Sequence, residues 1–209
     1  KLLSNPLVLI GFIIITSILL LAIIAPLIAP YDPDAIDVKA ILLSPSSQHL
    51  MGTDGLGRDV FSRMLYGARI SLMVGFVAVG IATAIGIVLG AIAGFYRGWV
   101  DTVIMRLVDV MLSIPTFFLI LAVIAFLTPS IWNIMIVIGL TSWMGVTRVV
   151  RGEFLSLRNG EFVLAAQALG AKDARLIFTH LLPNSLTPII VSSILGIASA
   201  VLVESGLSF

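Results

Sequence analysis

Four long runs without a charged side chain dominate this chain of 209 residues: 2–31, 70–96, 110–147 and 176–203 contain no Asp, Glu, Lys or Arg. A helix needs about 20 mostly apolar residues to cross the hydrocarbon core of a bilayer, where every backbone N–H and C=O must be paired within the protein. The first run supplies one such span, at about 7–28, and the second another, at about 70–95. The third run is 38 residues long. As one helix it would reach about 57 Å, too far for a single crossing. Thr128-Pro129-Ser130 interrupts it as a turn, so it divides into spans at about 104–127 and 131–149. The fourth run gives a fifth span, at about 186–206. The predicted fold is all-α: a polytopic transmembrane helical bundle, one domain over 1–209. A cleaved signal peptide is a poor account of the first run, which is too long and lacks a small-residue cleavage site before a soluble domain.

Composition excludes other classes. Apolar types make up 59% of the residues and charged types 11%, with mean hydropathy +1.17; soluble domains are closer to half apolar and a quarter charged. A net charge of +1 offers no basic field for nucleic acid. There is no cysteine, hence no disulfide framework, thiolate zinc site or Cys nucleophile. His49 and His180 lie far apart in the chain, so no metal site is predicted. No Ser–His–carboxylate set or carboxylate dyad is legible, so no catalytic residue is assigned and the chain is read as a non-enzyme.

Lys and Arg set the orientation, because they are retained on the cytoplasmic side. Five spans place Lys1, Arg97, Arg106, Arg148, Arg151, Arg158, Lys172 and Arg175 on one side. Lys39, Arg58, Arg63 and Arg69 fall on the other, with five aspartates. The N-terminus and residues 150–185 are therefore expected in the cytoplasm and 30–69 outside.

The cytoplasmic segment reads as more than a linker. EFVLAAQAL, residues 161–169, is an unbroken set of helix formers; Asn159-Gly160 precedes it as a turn and cap, and Gly170 follows as a C′ residue. A second helical run over 172–182 leads to Pro183. The tip carries the small residues Ala165, Ala166, Ala168, Gly170 and Ala171, over which another surface can approach the backbone. It is either a structured connector or a docking surface.

Elsewhere, Ala78, Ala82, Gly86, Gly90 and Gly94 recur every fourth residue, a small-residue stripe for close helix packing within the subunit or against a partner. Arg106 and Asp109 lie one turn apart ahead of Pro115, as a local ion pair or a hinge near a cytoplasmic gate. Glu204, near the outer end of the fifth span, is either a pathway residue or a helix-end carboxylate in water. GTDGLGRD, residues 52–59, lacks the Gly-Lys-Ser/Thr ending of a P-loop. Beyond it, Val60, Phe61, Met64 and Leu65 fall opposite Arg58, Asp59, Ser62 and Arg63, predicting an amphipathic helix flat on the membrane or an outer docking contact.

Residues 164–183, LAAQALGAKDARLIFTHLLP, resemble the EAA loop of ABC-importer permeases, E-A-A, three residues, G, nine residues, I-x-L-P. Ala165, Ala166, Gly170, Leu182 and Pro183 are in register; Leu164 replaces the Glu and His180 the Ile. Glu161, one turn earlier on the same face, is placed to supply the missing charge. HLLPN, residues 180–184, is similar to the ending in the peptide-importer branch. HLMGTDGLGRDVFSRMLYGARISL (49–72), GWVDTVIMRLVDVMLSIP (98–115) and ESGLSF (204–209) resemble the C-type permeases of dipeptide, oligopeptide and nickel importers. The resemblance implies a type I importer fold with a sixth span beyond residue 209 and a coupling loop touching the ATPases. It also implies a heterodimer with a second permease, two ATPase subunits holding ATP and Mg, and an extracytoplasmic solute-binding protein. The setting would be the inner membrane of a prokaryote. From other classes, an ion-gradient-driven transporter would need midplane carboxylates and repeated halves, and a membrane scaffold leaves the EAA-like loop unexplained.

Overall fold

The computed structural model describes residues 6–207. Helix α1 spans Pro6–Ile28, α2 Val60–Tyr96, α3 Gly98–Ser113, α4 Thr116–Ile124, α5 Ile131–Leu140, α6 Trp143–Leu157, α7 Glu161–Ala168, α8 Asp173–Arg175 and α9 Leu182–Leu207. A π turn, Leu176–Leu181, joins α8 to α9. Among the described residues the only extended pairing is one antiparallel bridge, Thr53 with Asp59. Four helices, or five spans counting α3 with α4, are long and apolar enough to cross a membrane. Contacts divide the chain into two compact units, with the boundary between Met73 and Val74 inside α2.

In the first unit, α1 buries only Ala22 and Ala25, and most of its Leu, Ile and Val side chains are exposed. That surface suits lipid, where an apolar face needs no protein cover. The irregular segment after it is tied by backbone bonds, Leu42 N–H to Asp54 O (3.2 Å), Thr53 N–H to Leu43 O (3.1 Å) and Val60 N–H to Gly52 O (3.1 Å). Gly52 (φ +73°) and Gly57 (φ +76°) turn this segment where a Cβ would collide with the carbonyls of Leu43 and Asp37. Asp59 caps α2, accepting from the Ser62 N–H and hydroxyl, each at 2.8 Å. His49 Nδ1 lies 3.0 Å from the other Asp59 oxygen, and its ring stacks on Tyr31 with centroids 4.8 Å apart. Burial works against the Asp59 charge, but the Ser62 N–H, His49 and the Ser62 hydroxyl outweigh it and hold the carboxyl below the usual Asp range. At Asp54 desolvation is likewise overcome, by the N–H groups of Leu56 and Arg58 and the Arg58 and Arg63 guanidinium groups, which bring it to about 2.

The predicted flat helix ahead of the second span is instead the start of α2, continuous for 37 residues. Its expected polar face is partly inward: Asp59 and Ser62 are buried, while Met64 is half exposed. Capping explains the inversion, because a side chain that satisfies the first-turn N–H groups is drawn into the turn it caps.

In the second unit, three packing registers fix the path of the chain. A Cβ on Gly86, Gly90 or Gly94 would lie 2.6 Å from the Cβ of Val146, Val150 or Phe154 respectively. The two series ascend together, so α2 and α6 run parallel. Val108 of α3 shares a core cluster with Ala82, and Ile120 of α4 one with Val74, so this pair returns antiparallel to α2. On α9, Ile189 clusters with Ala91, Ser193 bonds Thr83 at 2.9 Å, and Ile197 abuts Gly75, again antiparallel. Parallel α2 and α6 require a full return between them, so α3 and α4 together make one crossing.

That crossing is not the straight helix expected at 104–127. It bends by 81° between α3 and α4. Pro115 has no N–H to continue the ladder and drives Ile114 into extended backbone (φ −93°, ψ 124°). The fourth span also departs from 131–149. It breaks after α5 at Thr141, whose hydroxyl donates to Val137 O at 2.8 Å, and α6 then continues to Leu157. Its charged residues do not end it because α3 neutralises them: Arg151 grips Asp101 at 2.5 and 2.6 Å, and Arg148 meets Asp109 at 2.6 Å.

Candidate functional site

The segment between α6 and α9 folds as a bracket on the ends of α2 and α6. Arg158, at the end of α6, donates to Phe95 O at 2.5 Å and lies 5.5 Å from the centroid of the Phe95 ring. Gly160 then starts α7 with extended backbone. On α7, Val163 and Ala166 face inward, into a core with Phe95, Val150, Phe154, Leu176 and Leu181. Glu161, Leu164, Ala165 and Ala168 form the opposite, exposed face.

The helix ends in a complete Schellman motif. Gly170 N–H donates to Gln167 O (2.9 Å), Ala171 N–H donates to Ala166 O (3.0 Å), and Gly170 takes φ +80°. This turn pushes Leu169 outward to 89% exposure. Beside it is a cleft of about 220 Å³ bordered by Gly170, Arg175 and His180. No atom lies within 4 Å of a Cβ placed on Gly170, so the tip is open.

The helical run that the sequence leads up to Pro183 passes through it into α9. Pro183 is the second residue of α9 and is exposed. It lacks an N–H, and the backbone ahead of it widens to the π turn, where Leu182 N–H reaches back to Ile177 O. Leu182 packs against the core that seats α7, so the bracket and α9 are mechanically continuous.

The structure sorts the sequence-predicted residues. Glu161, Ala165 and Gly170 share the exposed tip, and Ala171 is half buried behind it. Ala166 is corrected from a contact residue to a core residue, because the periodicity of α7 places it with Val163 on the inner face. Arg106 and Asp109 do not form the local pair expected; Asp109 reaches Arg148 instead, and Arg106 has no ion pair among the described residues. Pro115 is the bend itself. Glu204 is buried, at 9% exposure, rather than a helix-end carboxylate in water. Ala82 packs beside Val108 and Trp143, and Gly86, Gly90 and Gly94 seat α6. Sequence reasoning missed the Asp101–Arg151 clamp; the available signal was two aspartates two turns apart on α3 opposite two arginines one turn apart on α6.

A second feature lies between the candidate membrane spans. Between α2, the α5–α6 break and α9 is a cavity of about 320 Å³, bordered by Ser142, Ser192, Ser193 and Ser199 together with Gly145 and Gly196.

Known proteins are similar to this chain. Residues 86–209 match the family described as binding-protein-dependent transport system inner membrane component, and residues 1–45 match the N-terminal TM domain of oligopeptide transport permease C. The dipeptide transport system permease protein DppC of Alkalihalophilus pseudofirmus is 46% identical over 206 residues, covering 99% of this chain and 68% of that protein. The probable D,D-dipeptide transport system permease protein DdpC of Escherichia coli is 43% identical over 206 residues, covering 99% and 69%. The oligopeptide transport system permease protein OppC of Bacillus subtilis is 39% identical over 206 residues, covering 99% and 68%. With its multispan all-α fold and this similarity along nearly its whole length, the chain belongs to the binding-protein-dependent transport system inner membrane component family.

Proposed function

We propose that this chain is the membrane-spanning permease subunit of an ATP-driven peptide importer, coupled to its ATPases through the α7 tip. The observation that carries the coupling is that tip: Leu164 and Leu169 exposed beside an open left-handed Gly170, on a helix whose other face is locked into the core. An apolar knob pushed out of a rigid bracket is a surface shaped for a partner. The relatives' names favour peptides over nickel as solute, and nothing favours an ion-gradient-driven transporter.

In this reading a second permease completes the pathway, two ATPase subunits hold ATP and Mg, and an extracytoplasmic protein delivers the peptide. The N-terminus and bracket face the cytoplasm of a prokaryotic cell, and residues 30–59 face outward. Glu161, on the same exposed face as Leu164 and in the first turn of α7, supplies the carboxylate that position 164 lacks. Nucleotide-driven closure of the ATPases moves the bracket, and its continuity with α9 carries that movement into the membrane as rigid-body rocking.

Gly170→Arg tests this. Space exists for the side chain, so the fold loses only the local cost of a Cβ at positive φ, on the order of 1 kcal/mol. Gly170→Ala carries the same cost without the bulk. The arginine variant should insert and pair with the second permease, yet fail to retain the ATPases and fail to transport; the alanine variant should retain the ATPases and transport. Normal ATPase recovery and uptake with Gly170→Arg would reduce the bracket to a connector.

A further inference from the structure

We propose that the serine-lined cavity between α2, the α5–α6 break and α9 is the stretch of the translocation pathway this subunit contributes, and that it passes the substrate by hydrogen bonds to the peptide backbone. The proposal rests on the peptide-importer reading and adds the site and the chemistry.

The cavity's depth comes first. It sits beside Ala78, Val79 and Ala82, in the uncharged stretch of α2, and no charged residue lines it. A surface at that depth that faces lipid has no use for hydroxyls, whereas one that faces water or a polar solute does. Four serines converge there, from the break between α5 and α6 and from three positions of α9. The break has its own meaning, since non-helical backbone at membrane depth is tolerated where it lines a cavity or is buried in protein. Gly145 and Gly196 keep the walls low between the hydroxyls.

The hydroxyl chemistry comes second. Ser193 donates to Ile189 O at 2.9 Å and accepts from the Thr83 hydroxyl at 2.9 Å, which leaves its oxygen one lone pair, and Ser199 donates to Leu195 O at 3.2 Å, which leaves its oxygen free to accept. The Ser142 and Ser192 hydroxyls make no hydrogen bond to the protein among the described residues, so each can donate or accept. Such a set matches alternating amide N–H and C=O groups, the feature common to every peptide whatever its side chains. Without a charge it holds no terminus tightly, as transit requires: binding strong enough to admit the solute and weak enough to release it. At about 320 Å³ the cavity lies at the small end of ligand pockets, roughly 300–1,000 Å³. That is suited to a short stretch of peptide, with the partner permease supplying the opposite wall.

The chain has no native cysteine, so single cysteines report without background. The experiment uses the whole transporter in lipid vesicles carrying Ser192→Cys, Ser199→Cys or, as a control on an exposed α9 position outside the cavity, Leu202→Cys. The two serine positions should react with a water-soluble maleimide during ATP-driven turnover, and a saturating dipeptide should slow that reaction several-fold; Leu202→Cys should not react. Ser142→Ala with Ser192→Ala should lower peptide uptake roughly three- to tenfold per hydroxyl while leaving ATPase recovery unchanged. Unreactive serine positions, or reaction unaffected by dipeptide, in vesicles whose unaltered transporter takes up peptide would overturn the pathway assignment and leave the importer reading intact. Cross-linking of these cysteines to the second permease without maleimide access would make the cavity a subunit seam and also overturn it. No peptide uptake by the unaltered transporter would overturn both.

Discussion

Adding one methyl group at Gly90 should separate the two helices on which the second unit is built. A Cβ there would lie 2.6 Å from Val150 Cβ, 2.7 Å from Thr147 O and 3.0 Å from Val150 Cγ1. Carbon contacts are comfortable at about 3.5–4.0 Å, so α6 would have to move by roughly 1 Å. It is not free to do so, because Gly86 and Gly94 hold the turns on either side at the same spacing and the Asp101–Arg151 pair pins it to α3. Overpacking of this kind costs about 1–3 kcal/mol, which equals or exceeds the helix-propensity gain of up to about 1 kcal/mol from replacing Gly by Ala. Gly80, on the same helix with nothing within 4 Å of its added Cβ, gives the reference: Gly80→Ala should be neutral or stabilising. Val150→Ala in the Gly90→Ala background should recover only part of the loss, since it removes the Cγ1 contact but leaves the closer Cβ. The assay is thermal unfolding of the purified protein in one detergent, with the three variants and the unaltered protein side by side. Equal stability of Gly90→Ala and Gly80→Ala would refute the claim that the stripe sets the α2–α6 distance.

Arg151→Ala should destabilise the protein by about 1–3 kcal/mol through loss of a two-pronged bond to a carboxylate, and the swap Asp101→Arg with Arg151→Asp should restore part of it; thermal unfolding reads both. A cysteine replacing Lys172 should react with a membrane-impermeant thiol reagent only from the cytoplasmic side and one replacing Ser46 only from outside, and reversed labelling would defeat the orientation. Asp54 and Asp59 are both held below their usual value of 3.8 in the folded state, so each contributes stability that is present above that value and fades as pH falls through the folded value. For Asp54 the window runs from near 4 down to about 2. Protection of the Leu56 and Arg58 amides, measured against their intrinsic exchange rates, should fall across it, and Asp54→Asn should remove that step; protection that is flat with pH in the unaltered protein would refute the assignment.

Span number and the location of the bracket were legible in the sequence because both follow from one-dimensional constraints. A bilayer enforces long uncharged runs, and a helix between Asn159-Gly160 and Gly170 has local start and stop signals. The small-residue stripe was legible as a packing surface, but what it packs on was not. The pairing of Gly86, Gly90 and Gly94 with Val146, Val150 and Phe154 is a long-range register, set by which surfaces fit without voids. Charge partners depended on the fold for the same reason. Arg106 is nearest to Asp109 in sequence, but helix α6 brings Arg148 to that carboxylate and Arg151 to Asp101, and a charge at the membrane edge pairs with what the packing presents. Ala166 looked like its neighbour Ala165 until helix geometry turned one toward the core and the other toward solvent. The four serines of the cavity come from segments 50 residues apart, between positions 142 and 192, and nothing in either segment marks it as half of a site. Only the antiparallel return of α9 past α2 and α6, driven by close packing in a medium that gives helices no hydrophobic reason to associate, brings those hydroxyls together.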